Sequence, residues 1–228
     1  MSRIRSFWLG FLGLPLFFWA VDGTAAPPRC RGLQTVAFCR QALPTGTTTV
    51  TCYERQGLAA QVPALDLTPL GCLPQLESLT LASGEIEFVE RLKLGGLGPL
   101  LGLPRLRRLA LEETSLSDLA PLSGLRGLEV LSVHASPVQD LSPLAALSQL
   151  RELDLSCTKV RDLSPLRTLT RLQRLDLTRT EVRDLTILAE LPALTWLGLA
   201  DDAPIAKEAR QALIARRPDL VIAAGRRY

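Results

Sequence analysis

The sequence predicts an α/β solenoid with one short strand per coil, and three observations carry that expectation. Leu106, Leu128, Leu150, Leu172 and Leu194 open successive copies of one phrase at a fixed 22-residue step. Each copy contains LxxLxL, and a period in the twenties with that core marks stacked leucine-rich coils. The pattern fades at both ends of the chain, as it must where terminal units cap an otherwise open stack.

Residues 1–26 are expected to be a secretory signal removed on export. Arg3 and Arg5 precede an apolar run from Phe7 to Val21, and Gly23, Thr24, Ala25 and Ala26 follow. The run is shorter than the ~20 residues a membrane-spanning helix needs. The mature chain is therefore expected to start near Pro27, to be secreted or periplasmic, and to have no membrane span. Net charge is +3 for the full chain, and losing Arg3, Arg5 and Asp22 leaves +2. With both signs interspersed, this gives no footprint for nucleic acid.

Cys30, Cys39, Cys52 and Cys72 precede the regular repeats, whereas Cys157 lies inside them. In an oxidising compartment the first four are expected to form two disulfides in an N-terminal cap over residues 27–72. Three pairings are open at this stage. The four cysteines contain no CxxC knuckle, and His134 is the one histidine, so neither metal nor cofactor is expected.

Residues 73–203 form the repeat region. Pairs such as Leu153/Leu155 and Leu175/Leu177 alternate with polar residues, the period of a half-buried strand, and should point inward. Thr114, Ser136, Thr158 and Thr180 recur at the bend, where an inward hydroxyl can satisfy loop backbone groups. Asp118, Asp140, Asp162 and Asp184 follow and read as turn-capping carboxylates. Ser142-Pro143 and Ser164-Pro165 read as a capping residue before a first-turn proline, opening short 3₁₀-like turns on the convex side. An insertion near residues 87–96 stretches one step to 30 residues. Residues 204–228 form the C-terminal cap: an amphipathic helix over Pro204–Arg217, with Ile205, Ala209, Leu213 and Ala215 as apolar contacts, and then a strand over Leu220–Ala223.

The unit LxxLxLSxTxVxDLSPLxxLxxL is very similar to the 22-residue repeat of bacterial internalin-like leucine-rich proteins and the related SDS22-like class. The resemblance covers residues 66–203, with Thr or Ser standing where Asn is common at the inward bend. It implies a non-catalytic binding module that holds a protein ligand on the concave sheet.

On that sheet Arg108, Glu112, His134, Glu152, Asp154, Arg174, Asp176 and Trp196 alternate with the leucines and should face outward. Glu152 stacks beside Arg174, and Asp154 beside Asp176. Trp196, flanked by Gly198 and Ala200, reads as an anchor pocket. The leading expectation is an exported protein-binding module. An envelope structural or inhibitor-like component is the alternative, and a Cys157/His134 enzyme the remote third. Carbohydrate binding would need a row of exposed aromatics, and only Trp196 stands there. A monomer is expected, with a dimer through Cys157 as the other arrangement.

Overall fold

The computed structural model describes residues 30, 35–54, 64–83, 91–200 and 207–223. The expected signal segment 1–26 lies outside the described residues, as do 87–90 of the insertion and 204–206 of the expected helix.

Strands β3 (Thr49–Glu54), β4 (Ser78–Ser83), β5 (Arg108–Glu112), β6 (Val130–Ser132), β7 (Glu152–Asp154), β8 (Arg174–Asp176), β9 (Trp196–Gly198) and β10 (Val221–Ala223) form one sheet in chain order. All neighbours are parallel, and from β5 to β9 each residue pairs with the one 22 positions on, as Leu131 with Leu153 and Leu153 with Leu175. Constant spacing thus becomes constant register. The strand leucines stack behind the sheet with those of the convex turns, and Leu131, Leu144, Leu150, Leu155, Leu166 and Leu172 have no solvent exposure. Burying one leucine side chain stabilises by about 1.5–3 kcal/mol, so this stack is the principal source of cohesion.

The bend after each strand is sharp. Glu113, Ala135, Cys157 and Arg179 occupy one column with φ between 53° and 57°, a left-handed conformation held by non-glycine residues. Directly after them Thr114, Ser136, Thr158 and Thr180 are buried, as the sequence suggests. Thr158 and Thr180 donate to the carbonyls of Leu155 and Leu177 at 2.6 and 2.8 Å.

On the convex side five-residue 3₁₀ turns recur, among them Ser142–Ala146 and Ser164–Thr168. The capping assignment changes from serine to aspartate. The residue before each turn is a leucine without a side-chain cap. Asp118, Asp140, Asp162 and Asp184 instead accept from the backbone N–H two residues on, each at 2.8 Å. Hydroxyl bonds from Ser142, Ser164 and Thr186, followed by these backbone bonds, hold the carboxyls of Asp140, Asp162 and Asp184 below the usual carboxylate range.

The N-terminal cap contains an antiparallel hairpin, β1 (Thr35–Phe38) and β2 (Gln41–Pro44). Its two-residue turn, Cys39-Arg40, has φ of 50° and 59°, the signs of a type I′ turn. The disulfides are Cys30–Cys72 and Cys39–Cys52. The second ties the hairpin tip to β3, which the leucine pattern does not mark. Within the insertion the chain rejoins the stack at Leu92, which is buried and bridged to Thr114, while Leu94 bridges to Leu65.

At the other end α1 (Lys207–Arg216) is not held by an apolar stripe. Leu213 is buried as expected, but Ala215 is exposed and Ala209 half-buried. Arginines take over the docking. Arg210 Nη2 donates to Ala200 O at 3.1 Å, while just past the helix Arg217 donates to Leu191 O at 2.7 Å and Leu194 O at 2.6 Å. The last coil's carbonyls are thereby capped by guanidinium groups. Among the described residues no helix is long and apolar enough to cross a membrane.

Candidate functional site

The concave face is built from alternate strand residues in three columns. The first, at the strand starts, holds Arg108, Val130, Glu152, Arg174, Trp196 and Val221. Arg108, Glu152, Arg174 and Val221 are exposed, and Val130 and Trp196 half-buried. This column is the accessible rim of the sheet.

The second and third columns lie deeper. His134 and Asp176 are 6% and 5% exposed, which corrects their reading as accessible contact residues. Alternation dictates the side of a strand but not the depth. His134 Nδ1 lies 2.9 Å from Ser156 Oγ, and Ser156 Oγ donates to Asp154 Oδ1 at 2.5 Å. The single hydroxyl proton is committed to the carboxylate, so His134 donates through Nδ1–H to the same oxygen. Ser156 is therefore not activated by His134; the three residues form a rigid polar brace. One coil away Ser132 donates to Glu112 at 2.9 Å.

The side-by-side carboxylates of Asp154 and Asp176 are confirmed as register partners. Each accepts from the backbone N–H two residues on, Ser156 and Thr178, both at 2.9 Å. Backbone amides thus offset part of the repulsion between the two carboxylates. The Thr178 hydroxyl is buried without a hydrogen-bond partner among the described residues, the residue being 9% exposed. Thr178→Val is nearly isosteric and removes that stranded group. It is expected to raise stability by about 1 kcal/mol, read as a higher urea midpoint; a lower midpoint would show that the hydroxyl is satisfied in solution.

Trp196 does not stand over an open pocket. The Arg174 guanidinium carbon lies 4.6 Å from its ring centroid, a cation–π stack. Gly198 is required beneath it, since a Cβ there would come within 2.5 Å of Asp176 Oδ1 and 2.9 Å of Trp196 Cη2. The space that the small residues open is filled by Trp196 and Asp176 themselves. Glu152, opposite Arg174 in register, has no side-chain partner among the described residues. Burial pushes the Cys157 thiol up, against a smaller opposing effect of its hydrogen bond with Arg179. Among the described residues no cluster of His, Cys, Asp and Glu could hold a metal ion.

A family model of leucine-rich repeats in two copies matches residues 148–190. Among solved structures, the chain is similar to an internalin, InlF, from Listeria monocytogenes, with 27% identity and a TM-score of 0.57 over 69% of this chain and 43% of that one. It also resembles internalin C2 of the same organism, with 23% identity and a TM-score of 0.56 over 82% and 86% of the two chains. A leucine-rich repeat protein of Leptospira interrogans gives 18% identity and a TM-score of 0.52 over 70% and 51%. The last two likenesses are of fold alone. The chain spans less than half the length of InlF. No curated protein matches by sequence. Repeat, register and these likenesses together show a leucine-rich repeat fold, similar to that of the internalins.

Proposed function

We propose that the chain is an exported, non-catalytic module that binds a protein ligand on the concave sheet from β5 to β9. The observation that carries this reading is the rim at the C-terminal end of that sheet. There the Arg174–Trp196 stack stands next to a Glu152 that has no side-chain partner among the described residues. Arg and Trp are the side chains that dominate interface energetics, and a stacked pair loses little freedom on binding. Arg108, Glu152, Arg174 and Trp196 make the direct contacts. Glu112, His134, Asp154 and Asp176 lie beneath and hold that surface in shape. The leucine-rich repeat fold suits such a role, and the two disulfides suit an extracellular setting.

The test is capture from envelope and host-cell extracts on immobilised residues 27–228, with Arg174→Ala/Trp196→Ala alongside. The double variant is expected to weaken capture of the partner by about thirtyfold or more, the loss of one strong anchor. Equal capture by both proteins would remove the concave rim from the binding site.

A further inference from the structure

The rim of the concave sheet is one unbroken register row. Arg108, Val130, Glu152, Arg174, Trp196 and Val221 pair in turn from β5 to β10. Its charges alternate in sign, and its last two members are apolar, with Val221 57% exposed. Glu152 and Arg174 are register neighbours of opposite charge, yet no ion pair joins them. Arg174 turns the other way, onto the Trp196 ring at 4.6 Å. Stacking occupies the face of a guanidinium and leaves its N–H edge free to donate. Arg108 is likewise exposed, with no side-chain partner among the described residues. Seen from β10, the row presents an apolar end, a cation, an anion, the half-buried Val130 and a second cation. Successive members lie about 4.8 Å apart, the spacing of paired strands.

We infer that this row reads a helix of the protein partner, laid along the solenoid axis, by the order of its charges. From the β10 end that helix carries an apolar side chain, a carboxylate for Arg174, a cation for Glu152, a small apolar residue over Val130 and a carboxylate for Arg108. The inference rests on the protein-binding reading above and gives the chemistry of the partner. Of single continuous segments, the helix alone keeps the step. One position per turn advances ~5.4 Å, so five steps run ~27 Å against ~24 Å for the row. Long arginine and glutamate stems absorb that difference. Same-face residues of an extended strand lie ~6.8 Å apart and overrun the row by ~10 Å. Alternation also rejects simple polyions. A polyanion meets Glu152, a polycation meets Arg108 and Arg174, and like charges facing across an interface select against the wrong partner.

The probe is a pair of side-chain-stapled helical peptides of identical composition, about 20 residues and some 30 Å long. One carries Leu, Glu, Lys, Ala and Glu at one per turn on a single face. In the other the first Glu and the Lys are exchanged, and each is made in both chain directions. Binding to the full chain is read by fluorescence anisotropy. The first peptide is expected to bind about tenfold more tightly than the exchanged one at low salt. That ratio should shrink toward one at about 0.5 M salt, where exposed charges are screened. In Glu152→Arg/Arg174→Glu the preference should invert, and in Glu152→Gln it should fall to about threefold. Circular dichroism reports whether the double variant keeps its fold; if it does not, the exposed Glu152→Gln change carries the test. Equal binding of the two peptides, a preference unmoved by either variant, or no binding at all would each overturn the inference. Partner capture that is lost in Arg174→Ala/Trp196→Ala, while the two peptides bind alike, would leave the concave site standing and remove the charge order alone.

Discussion

Replacement of Cys30 and Cys72 by alanine is expected to destabilise the chain by about 4 kcal/mol, the largest effect of any single cross-link here. The bond spans a sequence separation of 42, against 13 for Cys39–Cys52. In the chain-entropy description the cost of opening a loop grows with the logarithm of its length, which puts the shorter bond near 3 kcal/mol. The longer bond also joins the N-terminal cap at Cys30 to the convex turn Thr68–Cys72, where Cys72 is buried beside Leu70 and Leu73. Chemical denaturation of the two double-alanine variants checks the ordering: the Cys30/Cys72 variant should show the lower urea midpoint. Equal midpoints would mean that local packing, rather than loop closure, sets the stability of the cap.

The second large effect is expected at Arg217. Its side chain is 13% exposed and donates to two carbonyls of the last coil, while pairing with Asp219 at 2.8 Å. Asp219 is itself open to solvent, so most of the energy resides in the carbonyl bonds. Arg217→Met keeps the apolar stem but strands Leu194 O and leaves Leu191 O with the Leu194 N–H alone, at 3.3 Å, a loss of about 2–3 kcal/mol. Lysine restores one donor group without the fork and should recover part of the loss. The check is urea unfolding of all three proteins. A midpoint unchanged in the methionine variant would show that Leu213 alone retains the C-terminal cap.

These two positions also mark the limits of sequence reading. The coils were legible because a 22-residue step leaves one way to stack leucines, and inward threonines, capping aspartates and strand register follow from it. The role of Arg217 was not legible, because an arginine after a helix normally reads as a solvated charge. Its partners are carbonyls about two dozen residues away, and no local pattern announces them. Strand β3 was missed for want of leucines, although Val50 and Cys52 alternate with polar residues and are both buried. That alternation, lined up with Leu79 and Leu81, is the signal that finds it. The turn at Cys39-Arg40 has no Asn-Gly signature and could not be inferred. At the candidate site the column membership of Glu152, Arg174, Asp154, Asp176 and Trp196 was read correctly. The burial of His134 and Asp176 was not, because it depends on neighbours one coil on: Ser156 bonded to the His134 ring, and Trp196 packed beside Asp176 over Gly198.

The chain-order sheet bears on how the molecule is made. Each coil takes its hydrogen bonds from the coil before it and the one after, so nothing has to wait for a distant part of the chain. Growth can be vectorial: a coil emerging from a ribosome or a translocation pore finds its template already in place. The two arginines of the C-terminal cap arrive near the end and seal the stack. Until they do, the newest coil is always the one with its carbonyls bare.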